Sequence, residues 1–188
     1  MNSEFPQAPE LRTTQWFNTK EALSLEKLRG RVIAIEAFQM LCPSCVSHAL
    51  PQAQKIHKMF NFEDVAVIGL HTVFEHHRAM KPTSLEAFLY EYRITFPVGV
   101  DAPSKRGSIP QTMAVYELGG TPSTILIDRR GCIRKHALGI QDDLLMGAEI
   151  MSLIKEPYGD TQTVKQAVAI SSESNATVHC NKGGCQTK

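Results

Sequence analysis

No stretch of the 188-residue sequence approaches the roughly 18 consecutive apolar residues of a membrane-spanning helix. Neither sign of charge dominates: 20 Lys and Arg stand against 19 Asp and Glu, for a formal net charge of +1. Binding to nucleic acid or to a membrane surface normally needs a basic patch, so neither partner is expected. The N-terminus, MNSEFPQAPELRTTQW, lacks the basic region and the apolar core of a signal peptide. That predicts a cytoplasmic protein, or a periplasmic or exported one whose leader has been removed. Internal repeats are absent. Cysteine is scarce and odd in number, with five residues: Cys42, Cys45, Cys132, Cys180 and Cys185. Such a count does not suit a disulfide scaffold, and in a reducing compartment a close pair points to catalysis or metal binding.

What is present suits one domain with extensions. Hydrophobic residues make up 43% of the chain, enough to bury a sizeable core. Residues 1–23 read as an arm packed on that core, anchored by Trp16 and Phe17. Leu23, Leu25 and Leu28 fit a short helical turn ended by Gly30. Two apolar, β-rich runs, Val32–Phe38 and Val65–Leu70, predict strands buried on both faces, the first interrupted by Glu36. Between them a helix is expected from about Val46 to Phe60, with Ala49, Ala53, Ile56 and Phe60 on one face and a kink at Pro51. Ser84 is a candidate cap for a second helix through Leu85, Phe88, Leu89 and Tyr92.

A short strand at Phe96–Val100 and a helix around Met113–Leu118 follow. Thr124–Asp128 and Ile133–Leu138 read as a hairpin across Arg129, Arg130 and Gly131. A last helix places Leu144, Leu145, Ala148, Met151 and Leu153 on its apolar side. From Pro157 onward apolar periodicity is lost, so residues 1–156 are expected to form the domain and residues 157–188 a polar, partly disordered tail. Strand–helix alternation followed by a hairpin predicts an α/β domain with a central mixed sheet and helices on both faces.

The chemistry concentrates at Cys42-Pro43-Ser44-Cys45. A Cys-x-x-Cys that follows a buried strand and opens a helix puts its first thiol at a helix N-terminus. There, backbone N–H groups and the helix dipole favour the thiolate, the attacking species in disulfide exchange. Cys42 is therefore the expected nucleophile, and Cys45, one turn on, the resolving thiol. A zinc half-site or a structural disulfide is the alternative. Zinc would need two more ligands, which only the distant Cys180 and Cys185 offer.

With these elements in place the chain resembles the thioredoxin superfamily, and within it the TlpA/ResA-like and AhpC/TSA-type redoxins. The resemblance covers roughly residues 14–155. It is carried by Leu25–Val32, the strand leading into the CPSC segment, Phe96–Asp101, Tyr116–Thr124 and Ile127–Gly131. It implies a thioredoxin-like fold and a thiol–disulfide oxidoreductase that needs no cofactor and no metal. It also implies a cis-proline at Pro122, after Thr121, that lies against the dithiol and gives an extended substrate an edge to pair on. Glu36 takes the place of the buried acid behind the dithiol, where a raised pKa suits it to accept the proton of Cys45. Thr121, Pro43 and Ser44 then border the substrate. The implied partners are a disulfide-containing protein or small molecule and an upstream thiol reductant or oxidant. The chain departs from the pattern before the first cysteine, where Gln39, Met40 and Leu41 replace the usual aromatic and make an aliphatic groove.

Two rival functions remain. A peroxiredoxin-type thiol peroxidase would carry Pro-x-x-x-Thr/Ser-x-x-Cys, and Glu36-Ala37-Phe38-Gln39 breaks that pattern. A thiolate metal carrier would use both cysteine pairs. The other signals are weaker. His71, His76 and His77 read as a solvent-facing loop, His48 as a helix-surface residue and Cys132 as a bystander after the hairpin turn. Cys180 and Cys185, separated by Asn181, Lys182, Gly183 and Gly184, are a candidate redox relay to the main dithiol.

Overall fold

In the computed structural model, residues 5–158 except 106 are described. The chain divides into Met1–Glu156 and Pro157–Lys188, and the account below concerns the first unit. Its strands are β1 (Thr13–Phe17), β2 (Val32–Phe38), β3 (Val65–His71), β4 (Val98–Asp101), β5 (Ser123–Ile127) and β6 (Ile133–Leu138). Its α-helices are α1 (Leu50–Met59), α2 (Pro82–Glu91), α3 (Gln111–Val115) and α4 (Asp143–Lys155). The strands form one six-stranded sheet in the order β1-β4-β3-β2-β5-β6. β2 runs parallel to β3 and antiparallel to β5. Part of the N-terminal arm thus joins the sheet, because β1 pairs antiparallel with β4 at the edge.

The pleat sorts β2 into two cores. Val32, Ala34 and Phe38 face a cluster built with Leu50 and Ala53 of α1, Leu85 and Leu89 of α2, and Met146, Ile150 and Leu153 of α4. Ile33, Ile35 and Ala37 face the other way, onto Leu25, Leu28, Met113 and Tyr116. Glu36 shares the first face by alternation. Every residue of β2 and β3 is buried, as central strands covered on both sides must be. The β5–β6 turn uses Gly131 at φ +80, with the Asp128 carboxylate accepting from the amides of Arg130 and Cys132. Among the described residues no helix is long and apolar enough to cross a membrane.

Four local expectations are refined or corrected. The irregularity expected at Pro51 takes the form of a π-helical turn over Cys45–Ala49 that leads into α1, with the Leu50 amide donating to the Cys45 carbonyl. Pro51 has no N–H to donate back to the preceding turn, and the widened turn absorbs that loss. Helix α2 starts at Pro82 with Lys81 at its cap position, so Ser84 lies inside the first turn. In α4 the buried face is Met146, Ile150 and Leu153, whereas Leu144 and Leu145 are exposed. The Asp142 side chain accepts from the amides of Leu144 and Leu145, and this cap sets a register that turns both leucines outward.

His71 is the fourth. It ends β3, opposite Phe38 of β2, and is 1% exposed rather than part of a solvent-facing loop; His76 and His77 are exposed. Its ring lies 5.3 Å from that of Phe38, and neither ring nitrogen has a hydrogen-bond partner. Burial pushes its pKa down from 6.5 to about 4. The native state therefore resists a proton that the unfolded chain binds near pH 6.5. Stability from this group is complete above about 6.5 and is lost as pH falls toward 4, by about 3 kcal/mol. Urea unfolding across that range should show His71→Leu losing less stability than the parent by this amount. Parallel pH profiles would mean that His71 is protonated in the native state.

Candidate active site

Strand β2 aims the chain at the site. Beyond Phe38 the backbone turns, with the Cys42 amide donating to the Gln39 carbonyl, and enters the helical segment at Pro43. Gln39 and Met40 point inward and only Leu41 is strongly exposed, so the aliphatic surface expected before the dithiol reduces to Leu41. Cys42 is partly exposed, and Cys45 is fully buried at the start of the π-helical turn. Both are free thiols.

The two thiols are polarised in opposite directions. Burial alone pushes Cys42 up. The Cys45 thiol, the Ser44 hydroxyl at 3.4 Å and the Cys45 amide at 3.4 Å outweigh it and hold Cys42 below its ordinary value. Cys45 is pushed up to about 12, first by burial and then by donating its proton to Cys42. The site thus holds one activated sulfur and one kept protonated. On the flank, the Ser47 hydroxyl donates to the Pro43 carbonyl at 2.8 Å and lies 2.7 Å from His48 Nδ1, with His48 exposed as expected.

Thr121–Pro122 is a cis peptide, and the Thr121 carbonyl lies 3.5 Å from Cys42 Sγ. The structure therefore brings together residues 79 positions apart in sequence. The Pro122 carbonyl accepts from the Gly139 amide and the Ser123 hydroxyl donates to the Gly120 carbonyl, which fixes the loop beside the thiol.

Glu36 is buried on the β2 face that also packs Cys45. Desolvation raises its pKa from 4.5 to about 8, opposed by a hydrogen bond from Thr124 and reinforced by the negative charge on Cys42. Thr124 Oγ1 donates to Oε2 at 2.9 Å, while Oε1 has no partner. Thr124 escaped the sequence reading because its role depends on register: it sits directly opposite Glu36 across the β2–β5 pair. Gln52 escaped as well. It is buried on α1 and its Nε2 donates to the Gln141 carbonyl and to Asp143. Cys132 is buried on the hairpin turn and accepts from Gln7, apart from the dithiol's hydrogen bonds. Cys180 and Cys185 lie outside the described residues.

A buried acid behind a polarised Cys-x-x-Cys, faced by a cis-proline on a mixed α/β sheet, defines a thioredoxin-type redox protein. The redoxin family matches residues 6–147. A solved thioredoxin-like superfamily protein is 57% identical, over 81% of this chain and 99% of that one, with a TM-score of 0.79. A thiol-disulfide isomerase from Corynebacterium glutamicum is 51% identical, over 82% of this chain and 99% of that one, with a TM-score of 0.78. A thioredoxin-like protein in its oxidised form, 19% identical over 82% of this chain and 98% of that one, shares the fold at a TM-score of 0.67. No curated protein matches the sequence. The chain belongs to the redoxin family of the thioredoxin superfamily, as a thioredoxin-like thiol–disulfide oxidoreductase.

Proposed function

We propose that the protein exchanges its Cys42–Cys45 dithiol with disulfides of a protein or small molecule, with Cys42 as nucleophile and Cys45 as resolving thiol. The observation that carries this reading is the opposite polarisation of the two sulfurs. The Cys42 thiolate attacks one sulfur of the substrate disulfide, and the other leaves as a thiolate. Cys45 then gives its proton to the Glu36 carboxylate and attacks Cys42. The Cys42–Cys45 bond forms, and the second substrate sulfur departs with the electron pair. An upstream thiol reductant resets the pair; run in reverse with an oxidant, the same steps oxidise a substrate dithiol.

The order of events follows from the electrostatics. While Cys42 is a thiolate, its charge raises both Glu36 and Cys45, and it also accepts the Cys45 hydrogen bond. Forming the mixed disulfide removes the charge and the acceptor together. Cys45 is thereby released for deprotonation only after substrate is attached. Pro122 and Thr121, with Pro43 and Ser44, would border the attached substrate.

Trapping tests the roles. Cys45→Ser should accumulate a covalent adduct between Cys42 and a disulfide substrate, stable to gel electrophoresis without reductant, and Cys42→Ser should accumulate none. An adduct only in Cys42→Ser would reverse the assignment. Peptide mapping of the same trapped species also tests the relay proposed for Cys180 and Cys185, since a working relay would leave one of them joined to Cys42.

A further inference from the structure

Helix α1 buries a glutamine in a face that is otherwise apolar. Its buried residues are Leu50, Gln52 and Ala53. A buried amide costs stability unless its hydrogens are used. Here Gln52 Nε2 donates to the Gln141 carbonyl at 2.9 Å and to Asp143 Oδ1 at 2.7 Å. One turn on, Lys55 Nζ donates to Asp143 Oδ2 at 2.6 Å. The segment held in this way has no anchor in the core. From Leu138 to Leu145 no side chain is buried, and Leu138, Ile140, Leu144 and Leu145 are each more than half exposed. An open groove of about 520 Å3, lined by Gln52, Lys55 and Asp143, runs between this segment and the first helix. Hydrogen bonds rather than packing therefore fix its position.

The other end of the segment meets the active site. The Gly139 amide donates to the Pro122 carbonyl at 2.8 Å, and Gln141 Nε2 donates to the Gly139 carbonyl at 3.1 Å. The carbonyl of Thr121, the residue before Pro122, lies 3.5 Å from Cys42 Sγ. The π-helical turn that starts at Cys45 leads directly into α1. These links close a ring around the dithiol. It runs from Cys45 along α1 to Gln52, across to Gln141 and Asp143, back through Gly139 to Pro122 and Thr121, and onto Cys42.

We propose that Gln52 and Asp143 are positioning residues for a polypeptide substrate: they tie Gly139–Asp143 to α1 and so hold the Thr121–Pro122 edge in register with Cys42. The inference rests on the reading of Thr121 and Pro122 as the border of the attached substrate. It makes the dependence selective. An extended polypeptide must meet the edge and the sulfur together, so it needs the two in register. A small disulfide without a backbone needs only the sulfur. Lys55 adds little, because the side chains of its ion pair with Asp143 are 65% and 51% exposed.

The test is single-turnover reduction, by the reduced protein, of two disulfides: insulin and bis(2-hydroxyethyl) disulfide. Gln52→Leu and Asp143→Ala should each slow the reaction with insulin about tenfold and leave the small disulfide within about twofold of the parent. Asp143→Asn, which keeps an oxygen for Gln52, and Lys55→Met should stay within about twofold on both. Combining Gln52→Leu with Asp143→Ala should be no slower than the worse single variant, because both break one link. Should Gln52→Leu fail to fold, Asp143→Ala, at a half-exposed position, decides alone. Parent rates with insulin would overturn the proposal. Equal slowing with both disulfides would do the same, by marking a damaged thiol or fold, as would an Asp143→Asn as slow as Asp143→Ala or an additive double variant. A parent that reduces the small disulfide and not insulin would instead remove the edge reading, and the proposal with it.

Discussion

In the reduced, unsubstituted protein, limited iodoacetamide at pH 7 should label Cys42 at least about 30-fold faster than Cys45. Cys42 lies below 9 and Cys45 near 12, a gap exceeding about three pKa units. At neutral pH that gap alone favours Cys42 by more than a thousandfold in thiolate fraction. Intrinsic nucleophilicity works the other way, because a more basic thiolate attacks faster, with a Brønsted slope of about 0.4–0.5. Roughly half the logarithmic advantage survives. Cys45 is also fully buried, which adds to the difference. The measurement is peptide mapping of substoichiometric label. It must be made with both cysteines present, because each sulfur sets the other's pKa. Comparable labelling would mean that the donors around Cys42 do not hold a thiolate, and the nucleophile assignment would fail.

Replacing Glu36 by Gln should change how stability depends on pH more than any other single substitution at the site. The folded protein holds the Glu36 proton up to about pH 8, whereas the unfolded chain releases it near 4.5. The native state binds more protons between those values, so stability from this group is complete below 4.5 and is lost as pH rises toward 8. The loss amounts to about 4–5 kcal/mol. His71 has the opposite slope over its own range, from about 4 to 6.5. The two offset each other between about 4.5 and 6.5, and above 6.5 Glu36 acts unopposed. The parent should therefore be nearly level in mildly acid solution and lose stability from neutral pH to 8. Glu36→Gln should lack the loss from neutral to 8 and instead gain stability from 4.5 to 6.5 as His71 of the unfolded chain sheds its proton. Chemical denaturation at a series of pH values reads both. If variant and parent run parallel, the Glu36 pKa is the same in the folded and the unfolded protein, and the carboxyl is too weak a base to take the proton of Cys45 at neutral pH. The cost in stability is what keeping a carboxyl buried beside a thiolate demands, and such costs gather where chemistry is done.

Much of this was legible in the chain itself. The buried strands β2 and β3 announced themselves as continuous apolar runs, because a strand covered on both faces has no solvent side to mark with polar residues. The dithiol was legible because a Cys-x-x-Cys between a buried strand and a helix is local chemistry on local geometry. Glu36 stood out for the same reason, as one charge in an apolar run. The apolar side of α4 was misjudged, because Leu144 and Leu145 fit a helical pattern as well as Met146 and Ile150 do, and only the Asp142 cap settles which set turns inward. His71 was misjudged because a histidine just past an apolar run can equally end the strand or open the loop.

What the sequence alone determined is the set of elements and the reactive pair, both written in short-range spacing. Tertiary structure decided which atoms surround that pair. The Thr121 carbonyl reaches Cys42 from 79 residues away, and Thr124 reaches Glu36 from 88. Gln52 comes beside Glu36 and Thr124 because α1 packs over β2 and β3 at that level. Strand register and helix placement are set by how the whole core packs, and no local window of sequence contains that information. The polarisation of the dithiol begins in a four-residue motif, and its proton chemistry is completed by strands that meet only in the folded sheet.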